Sequence, residues 1–384
     1  MTSQRDVVIV GGGPVGLAAA IASARRGLAV TVVDAQRPPI DKACGEGLMP
    51  SGLAALARLG VELEAGRPFT GIRYVSDGLV AEADFPHGAR GRGVRRTELH
   101  AALVRAAEGA GVELRWNERI GGLASEGVVS AAGRVAARFV VGADGLHSKV
   151  RAWAGLERAA PVVSERSRFG VRRHYALAPW SGRVEVTFGR GAEAYVTPVG
   201  EREVGVALLW SGGGANFDRL LAERFPAELG ERLAGAPELS RHRGAGPLRQ
   251  PVRGAVAGRV ALVGDAAGYV DALTGEGLSL GFAQAEALAG ALAAGDLSAY
   301  ARAHHRLGRL ANRLTRLMLV AAARPPLRRR LVAALARDPA FFARLLGALG
   351  CDGGGRELVA PGALRLAFGL VVPGSGGSAA PARG

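Results

Sequence analysis

Asp6-Val7-Val8-Ile9-Val10-Gly11-Gly12-Gly13-Pro14-Val15-Gly16 decides the fold of this chain. Four apolar residues in a row, between an acid and a glycine, read as a short strand buried on both faces of a parallel sheet. Gly11, Gly13 and Gly16 follow at G-x-G-x-x-G spacing, and the alanine-rich stretch to Arg26 reads as a helix. In that spacing the first glycine permits a tight turn. The second lets a pyrophosphate approach the backbone, and the third lets helix and strand pack closely. Unpaired N–H groups at the helix start then face the phosphates. Residues 7–24 carry no charge, which imitates a signal or membrane segment. Three glycines and a proline interrupt that run, so strand–turn–helix is the better reading.

The next strand, Ala29-Val30-Thr31-Val32-Val33, ends in Asp34. An acid there accepts hydrogen bonds from a ribose 2′-OH and disfavours a 2′-phosphate, so FAD or NAD suits the turn better than NADP. Two later segments repeat the pattern of strand, small residue and aspartate. They are Phe139-Val140-Val141-Gly142-Ala143-Asp144-Gly145 and Val260-Ala261-Leu262-Val263-Gly264-Asp265. Ligands of open parallel sheets gather at the carboxyl ends of the strands. Asp144 and Asp265 are therefore expected at the edge that carries Gly11, where carboxylates bind sugar or ribityl hydroxyls.

These three pieces, in this order, resemble the flavoprotein superfamily that includes the para-hydroxybenzoate hydroxylase type of aromatic hydroxylase and the geranylgeranyl reductases. The resemblance spans about residues 5–320. It implies FAD as cofactor and NADH or NADPH as electron donor. It places Gly11, Gly13 and Gly16 on the ADP pyrophosphate, Asp34 on the ribose and Asp265 on the ribityl chain. Asp144 and Gly145 match the family's Asp-Gly motif, and Arg96 matches an arginine that contacts FAD at the start of a helix. Gly275 and Gly277, in Thr274-Gly275-Glu276-Gly277, would form a helix N-terminus under the isoalloxazine. Backbone N–H groups there would stabilise the negative charge of reduced flavin. Cys44-Gly45-Glu46-Gly47 resembles a loop that lies beside the flavin in the reductases. Cys44 is the candidate catalytic residue, with proton donor, pocket wall and packing residue all open. Glu46 is either a solvated charge or a contact of that loop.

The expected fold class is α/β: a Rossmann-like FAD-binding domain with an inserted antiparallel β-sheet substrate domain and C-terminal helices. Residues 1–75, 94–160 and 250–323 are assigned to the discontinuous FAD-binding domain, and 76–93 and 161–249 to the sheet domain. Residues 324–372 are assigned to C-terminal helices and 373–384 to a disordered tail. Within the sheet domain, 168–176, 183–188, 193–199 and 203–210 alternate as strands. Arg173, Tyr175, Tyr195 and Trp210 are its pocket candidates. A helix is expected from Leu297 to Ala323, with Leu307, Leu310, Leu314, Leu317 and Ala321 forming a stripe that packs on its own domain.

Composition narrows the function classes. The chain has 384 residues and 48% hydrophobic content, enough for about two domains with real cores. Its only cysteines are Cys44 and Cys351, which excludes a disulfide framework and any four-cysteine metal site. No metal is expected, and a reducing cytoplasm suits the chain. The net charge is +15, and residues 301–337 hold ten arginines and no acid. No nucleic-acid motif accompanies them, so no nucleic-acid partner is expected. Peripheral membrane contact through the Arg-rich helix 302–321 is the open alternative to plain packing.

With one dinucleotide turn and no cysteine pair, the first expectation is an NAD(P)H-dependent FAD monooxygenase. It would use O₂ to hydroxylate or epoxidise a hydrophobic or aromatic small molecule. The alternative is a flavin-dependent reductase of a C=C bond in a prenyl or polyene lipid, favoured by the Cys44 loop. From another class comes a non-catalytic flavin-binding protein.

Overall fold

A computed structural model describes residues 5–158, 163–214 and 216–350. Cys351, the rest of the expected helical stretch to 372 and the expected tail 373–384 lie outside the described residues.

The first strand, Arg5–Val10, lies at the centre of a six-stranded sheet. Val30–Asp34 pairs with it in parallel on one side and Ala137–Gly142 on the other. Glu113–Trp116 and Val260–Leu262 extend the sheet outward in parallel, and only the short edge strand Val256–Ala257 runs antiparallel. Val7, Val8 and Ile9 are fully buried, as the unbroken apolar run requires. The helices Pro14–Ala24 and Gly277–Ala294 pack against each other and form one core with the sheet. Gly277–Ala294 is long and apolar enough to span a membrane, but Phe282, Leu288 and Leu292 bury it in this core.

The second sheet has seven strands. Arg168–Tyr175, Val184–Phe188, Ala192–Gly200 and Glu203–Ser211 match the four expected strands to within one or two residues. Gly71–Ser76, Leu79–Asp84 and Arg243–Ala245 complete it. Gly71–Ser76 pairs in parallel with Val184–Phe188, so the sheet is not purely antiparallel. The expected boundary at 75/76 also falls inside that strand, so the sheet begins earlier than expected.

Alternation gives the seven-stranded sheet two different faces. Val196, Val206, Leu208 and Trp210 form one core with Phe217, Leu220, Leu229 and Leu233 from the helices Phe217–Arg224 and Ala227–Leu233. The other face looks toward the six-stranded sheet. There Ile72, Val184, Val186, Tyr195, Ala207 and Leu209 join residues of the last three helices. Those helices are Leu297–Ala322, Pro325–Arg337 and Pro339–Gly350.

The long helix departs from expectation on its packing face. Leu297, Tyr300, Gly308, Thr315, Ala321 and Ala322 are its buried residues. Of the expected stripe, only Ala321 is buried. Leu307 and Leu317 are exposed at 38% and 54%, and Val320 beside them at 46%. The leucine spacing is amphipathic, but the apolar stripe lies off the packing face.

Candidate functional site

The glycine turn sits where the strand order predicts, between the carboxyl ends of Arg5–Val10 and Ala137–Gly142. Gly11 has φ +109°, and a Cβ there would lie 2.4 Å from the Ala143 carbonyl oxygen. A Cβ on Gly16 would lie 2.0 Å from the Gly11 carbonyl oxygen. Both glycines are therefore imposed by protein packing. Gly13 differs: a Cβ there would meet only Arg96 Nη2, at 3.7 Å. Its open side faces a cavity, which leaves room for a ligand on the backbone.

Two side chains brace this turn: Asp34, expected from the sequence, and His100, which the sequence did not reveal. Asp34 Oδ2 accepts from the Gly12 N–H at 2.8 Å, and Oδ1 accepts from the Gln36 N–H at 2.8 Å. Each oxygen keeps a lone pair for a ribose hydroxyl. His100, fully buried, donates from Nε2 to the Gly12 carbonyl at 2.8 Å. Burial first, then the Arg96 and Lys42 charges, push its pKa down against the opposing pull of that bond and of Asp34. Its Nδ1 has no partner, so the ring is the neutral Nε2–H form.

The cavity has a volume of about 1200 Å³. Gly13, Arg96, Asp144, Gly145, Asp265, Gly275 and Gly277 all line it. Gly11, Gly16 and Asp34 stand just outside as supports. Arg96 starts the helix Arg96–Gly109, and its buried Nε lacks a partner. The Asp265 carboxylate makes no hydrogen bond among the described residues, though its backbone carbonyl accepts from the Gly268 N–H at 3.2 Å. Burial raises its pKa, while Arg96 and Lys42 draw it down. An arginine whose Nε has no partner among the described residues, an uncovered glycine and a carboxylate without a hydrogen bond on one wall fit a pyrophosphate and a polyol. FAD supplies both, so the residues present suit that cofactor.

Asp144 has a second task. Its carboxylate accepts from Ser148 Oγ and from the N–H groups of Lys149 and Val150, at 2.5, 2.7 and 3.1 Å. It thereby caps the helix Lys149–Trp153 and holds Gly145, φ +81°, at the cavity wall.

The Cys44 loop is fastened across the two sheets. Glu46 is not solvated: it is 3% exposed and has φ +59°. Its Oε1 accepts from the Arg96 N–H at 2.8 Å, and its Oε2 meets His174 Nε2 at 2.5 Å. Arg172, buried beside them, bonds Asp41 and the Lys42 carbonyl. Cys44 Sγ accepts from the Glu46 N–H at 3.4 Å and lines the cavity. Burial pushes the Cys44 thiol up, only partly offset by Arg96, so it is a thiol rather than a thiolate.

Of the four pocket candidates on the sheet, only Tyr195 lines the cavity. Its hydroxyl donates to the Leu273 carbonyl at 2.8 Å. Arg173 instead pairs with Asp218 and Glu238, and Tyr175 and Trp210 pack in the core on the opposite face. The alternation of the strands places them there. The residue that sequence reasoning passed over is Glu276. It lines the cavity between Gly275 and Gly277, is 8% exposed, and its Oε1 has no partner. Burial pushes its carboxyl up to about 8. The cavity continues past it along Leu310, Leu314, Met318, Leu331, Phe341 and Leu345. Its far wall is therefore apolar.

A cofactor wall of this form is a family property. The FAD binding domain family matches residues 4–296. The chain belongs to that family. It is a FAD-dependent oxidoreductase. A menaquinone reductase of Mycobacterium tuberculosis is 31% identical over 329 residues, 76% of this chain and 78% of the relative. The menaquinone reductase of Mycolicibacterium smegmatis is 29% identical, covering 79% and 80%. A digeranylgeranylglycerophospholipid reductase of Methanothrix thermoacetophila is 28% identical, covering 76% and 79%. Among solved structures, a flavin-dependent brominase superposes with TM-score 0.77 at 18% identity, covering 95% of this chain and 99% of that one. A flavoprotein/dehydrogenase of Cytophaga hutchinsonii also gives 0.77 at 18%, covering 90% and 92%. At that identity the two structures bear on the fold alone.

Proposed function

We propose that this protein is a flavin-dependent reductase that saturates C=C bonds of an isoprenoid chain, with NADH or NADPH as electron donor. The observation that carries this reading is the shape and chemistry of the cavity. It joins a polar cofactor wall to a long apolar chamber, and apolar chambers select ligands by buried hydrocarbon area. The relatives named for reduction of menaquinone and of a digeranylgeranyl lipid support the same class.

When bound, FAD supplies the hydride chemistry. The chain's own residues bind and orient. Gly13 and Arg96 would hold the pyrophosphate, Asp34 the ribose and Asp265 the ribityl hydroxyls. Val186, Tyr195 and Leu209 roof the chamber and exclude water, and Cys44 and Glu276 line it. The monooxygenase expectation ranked first on sequence, and no feature of the cavity favours it over reduction.

One assay separates the two. FAD-loaded protein, reduced without oxygen and given a geranylgeranyl lipid that carries no quinone ring, is expected to yield product heavier by two hydrogens per bond. A product that gains one oxygen atom, only in air, would replace this reading with hydroxylation or epoxidation.

A further inference from the structure

Saturating a C=C bond adds two hydrogens. One arrives with both electrons as hydride from the reduced cofactor, and the other must come as a proton from the protein. An apolar chamber holds little water, so the proton source has to be built in. Glu276 is placed for this. It precedes the helix Gly277–Ala294 as its N-cap residue, yet its side chain makes no capping bond. Instead the carboxyl stays inside, with Oε1 enclosed and unpartnered.

Glu276 also lines a second space. A hollow of about 40 Å³ adjoins the cavity, lined by Asp265, Asp271, Thr274, Gln284, Asn312 and Thr315 among others. Its wall is rich in hydroxyl, amide and carboxyl groups, and Thr274 and Thr315 bond each other at 3.0 Å. A space of this size with several polar partners is large enough for a water molecule. Asn312, on the wall of the hollow, is half-exposed. Glu276 and Asp265 are the acids that line both the apolar chamber and the polar hollow. Asp265 is taken up by the ribityl hydroxyls in the reading above, which leaves Glu276 for the proton.

We propose that Glu276 is the proton donor of the cavity and is resupplied through the polar hollow. This rests on the reductase reading. The Glu276 O–H bond breaks as a C–H bond forms on the alkene carbon that does not receive hydride. The carboxylate then takes a proton from water in the hollow. Burial keeps the carboxyl protonated at neutral pH. The titratable groups around it are Tyr74 on the facing strand, Asp265 and Asp271 around the hollow, and Arg313 on the cavity wall. The Tyr74 hydroxyl is pushed up to about 12, by burial and then by Glu276, so it stays neutral and does not compete.

The test uses the full FAD-loaded protein. Infrared spectra taken without substrate should show a protonated-carboxyl band near neutral pH that titrates away toward about pH 9. Glu276→Gln should lose this band, while Cys44→Ser should keep it. In anaerobic stopped flow, a geranylgeranyl lipid that carries no quinone ring should reoxidise reduced wild-type flavin. Glu276→Gln should slow that step by about 10²-fold or more, with dithionite reduction and FAD affinity unchanged, and Glu276→Asp should restore part of the rate. A band that persists in Glu276→Gln, or reoxidation within threefold of wild type, overturns the proposal. Wild-type protein that this lipid fails to reoxidise overturns the reductase reading instead, and the donor assignment with it.

Discussion

At the scale of single residues, the three motif glycines have different physical reasons, and substitution separates them. A methyl on Gly16 would stand 2.0 Å from backbone, so Gly16→Ala must displace the turn. We expect a loss of about 1–3 kcal/mol in stability, read as a lower denaturation midpoint without cofactor. Gly13 has no such neighbour. Gly13→Ala should leave that midpoint nearly unchanged but weaken FAD binding at least about tenfold, measured by fluorescence titration. Equal destabilisation by both would mean that the Gly13 face is closed by protein. Glu276 gives a pH signature. Its carboxyl is raised from an ordinary 4.5 to about 8, so the folded state binds more protons than the unfolded state between those values. Stability contributed by the neutral acid is therefore complete below about pH 4.5 and declines as pH rises through about 8. The full span is worth a few kcal/mol at most, about 1.4 kcal/mol per unit. Glu276→Gln should flatten this decline and exceed wild type in stability at pH 8–9, measured by urea unfolding.

At the scale of elements, buried ion pairs join what the chain separates. Arg168 on the sheet bonds Asp271 at 2.8 Å and Glu193 at 2.5 Å, and both acids are almost fully enclosed. This clamps the segment before Gly275 to the sheet. Arg168→Met removes one charge and strands two, so a loss of about 3–5 kcal/mol is expected. Adding Glu193→Gln and Asp271→Asn should recover part of it, and no recovery would argue against the clamp. Such pairs explain what the sequence conceals. The strands, the glycine turn and the aspartates at strand ends were legible because their signals are local and periodic. Glu46 meets His174 from 128 positions away, and His100 meets Gly12 from 88. No period encodes those contacts. The same holds for Arg173 and Trp210: alternation announces two faces but not which one looks at the cofactor.

At the scale of the whole molecule, the cavity, the arginines and the misplaced leucine stripe meet on one surface. Leu310, Arg313, Leu314, Leu317 and Val320 belong to both the long helix and the cavity wall. Leu317 and Val320 are exposed, and Arg302, Arg306, Arg309, Arg313 and Arg316 are exposed around them. Residues 301–337 supply no acid to neutralise them. Residues 351–384 hold two acids, Asp352 and Glu357, against three arginines, so they carry no complementary charge. An anionic bilayer matches both parts of this surface: headgroups meet the arginines, and apolar side chains reach the acyl boundary. Under the reductase reading, such docking would let an isoprenoid chain enter the chamber without crossing water. We expect the FAD-loaded protein to sediment with vesicles containing phosphatidylglycerol, less so as salt rises, and not with pure phosphatidylcholine. Reversing Arg306, Arg309 and Arg316 to Glu should abolish that binding while leaving the visible flavin spectrum intact. With substrate dispersed in vesicles, the apparent KM should rise and kcat should hold. Binding that ignores lipid charge, or a triple variant that still sediments, would show that this surface does not face a bilayer.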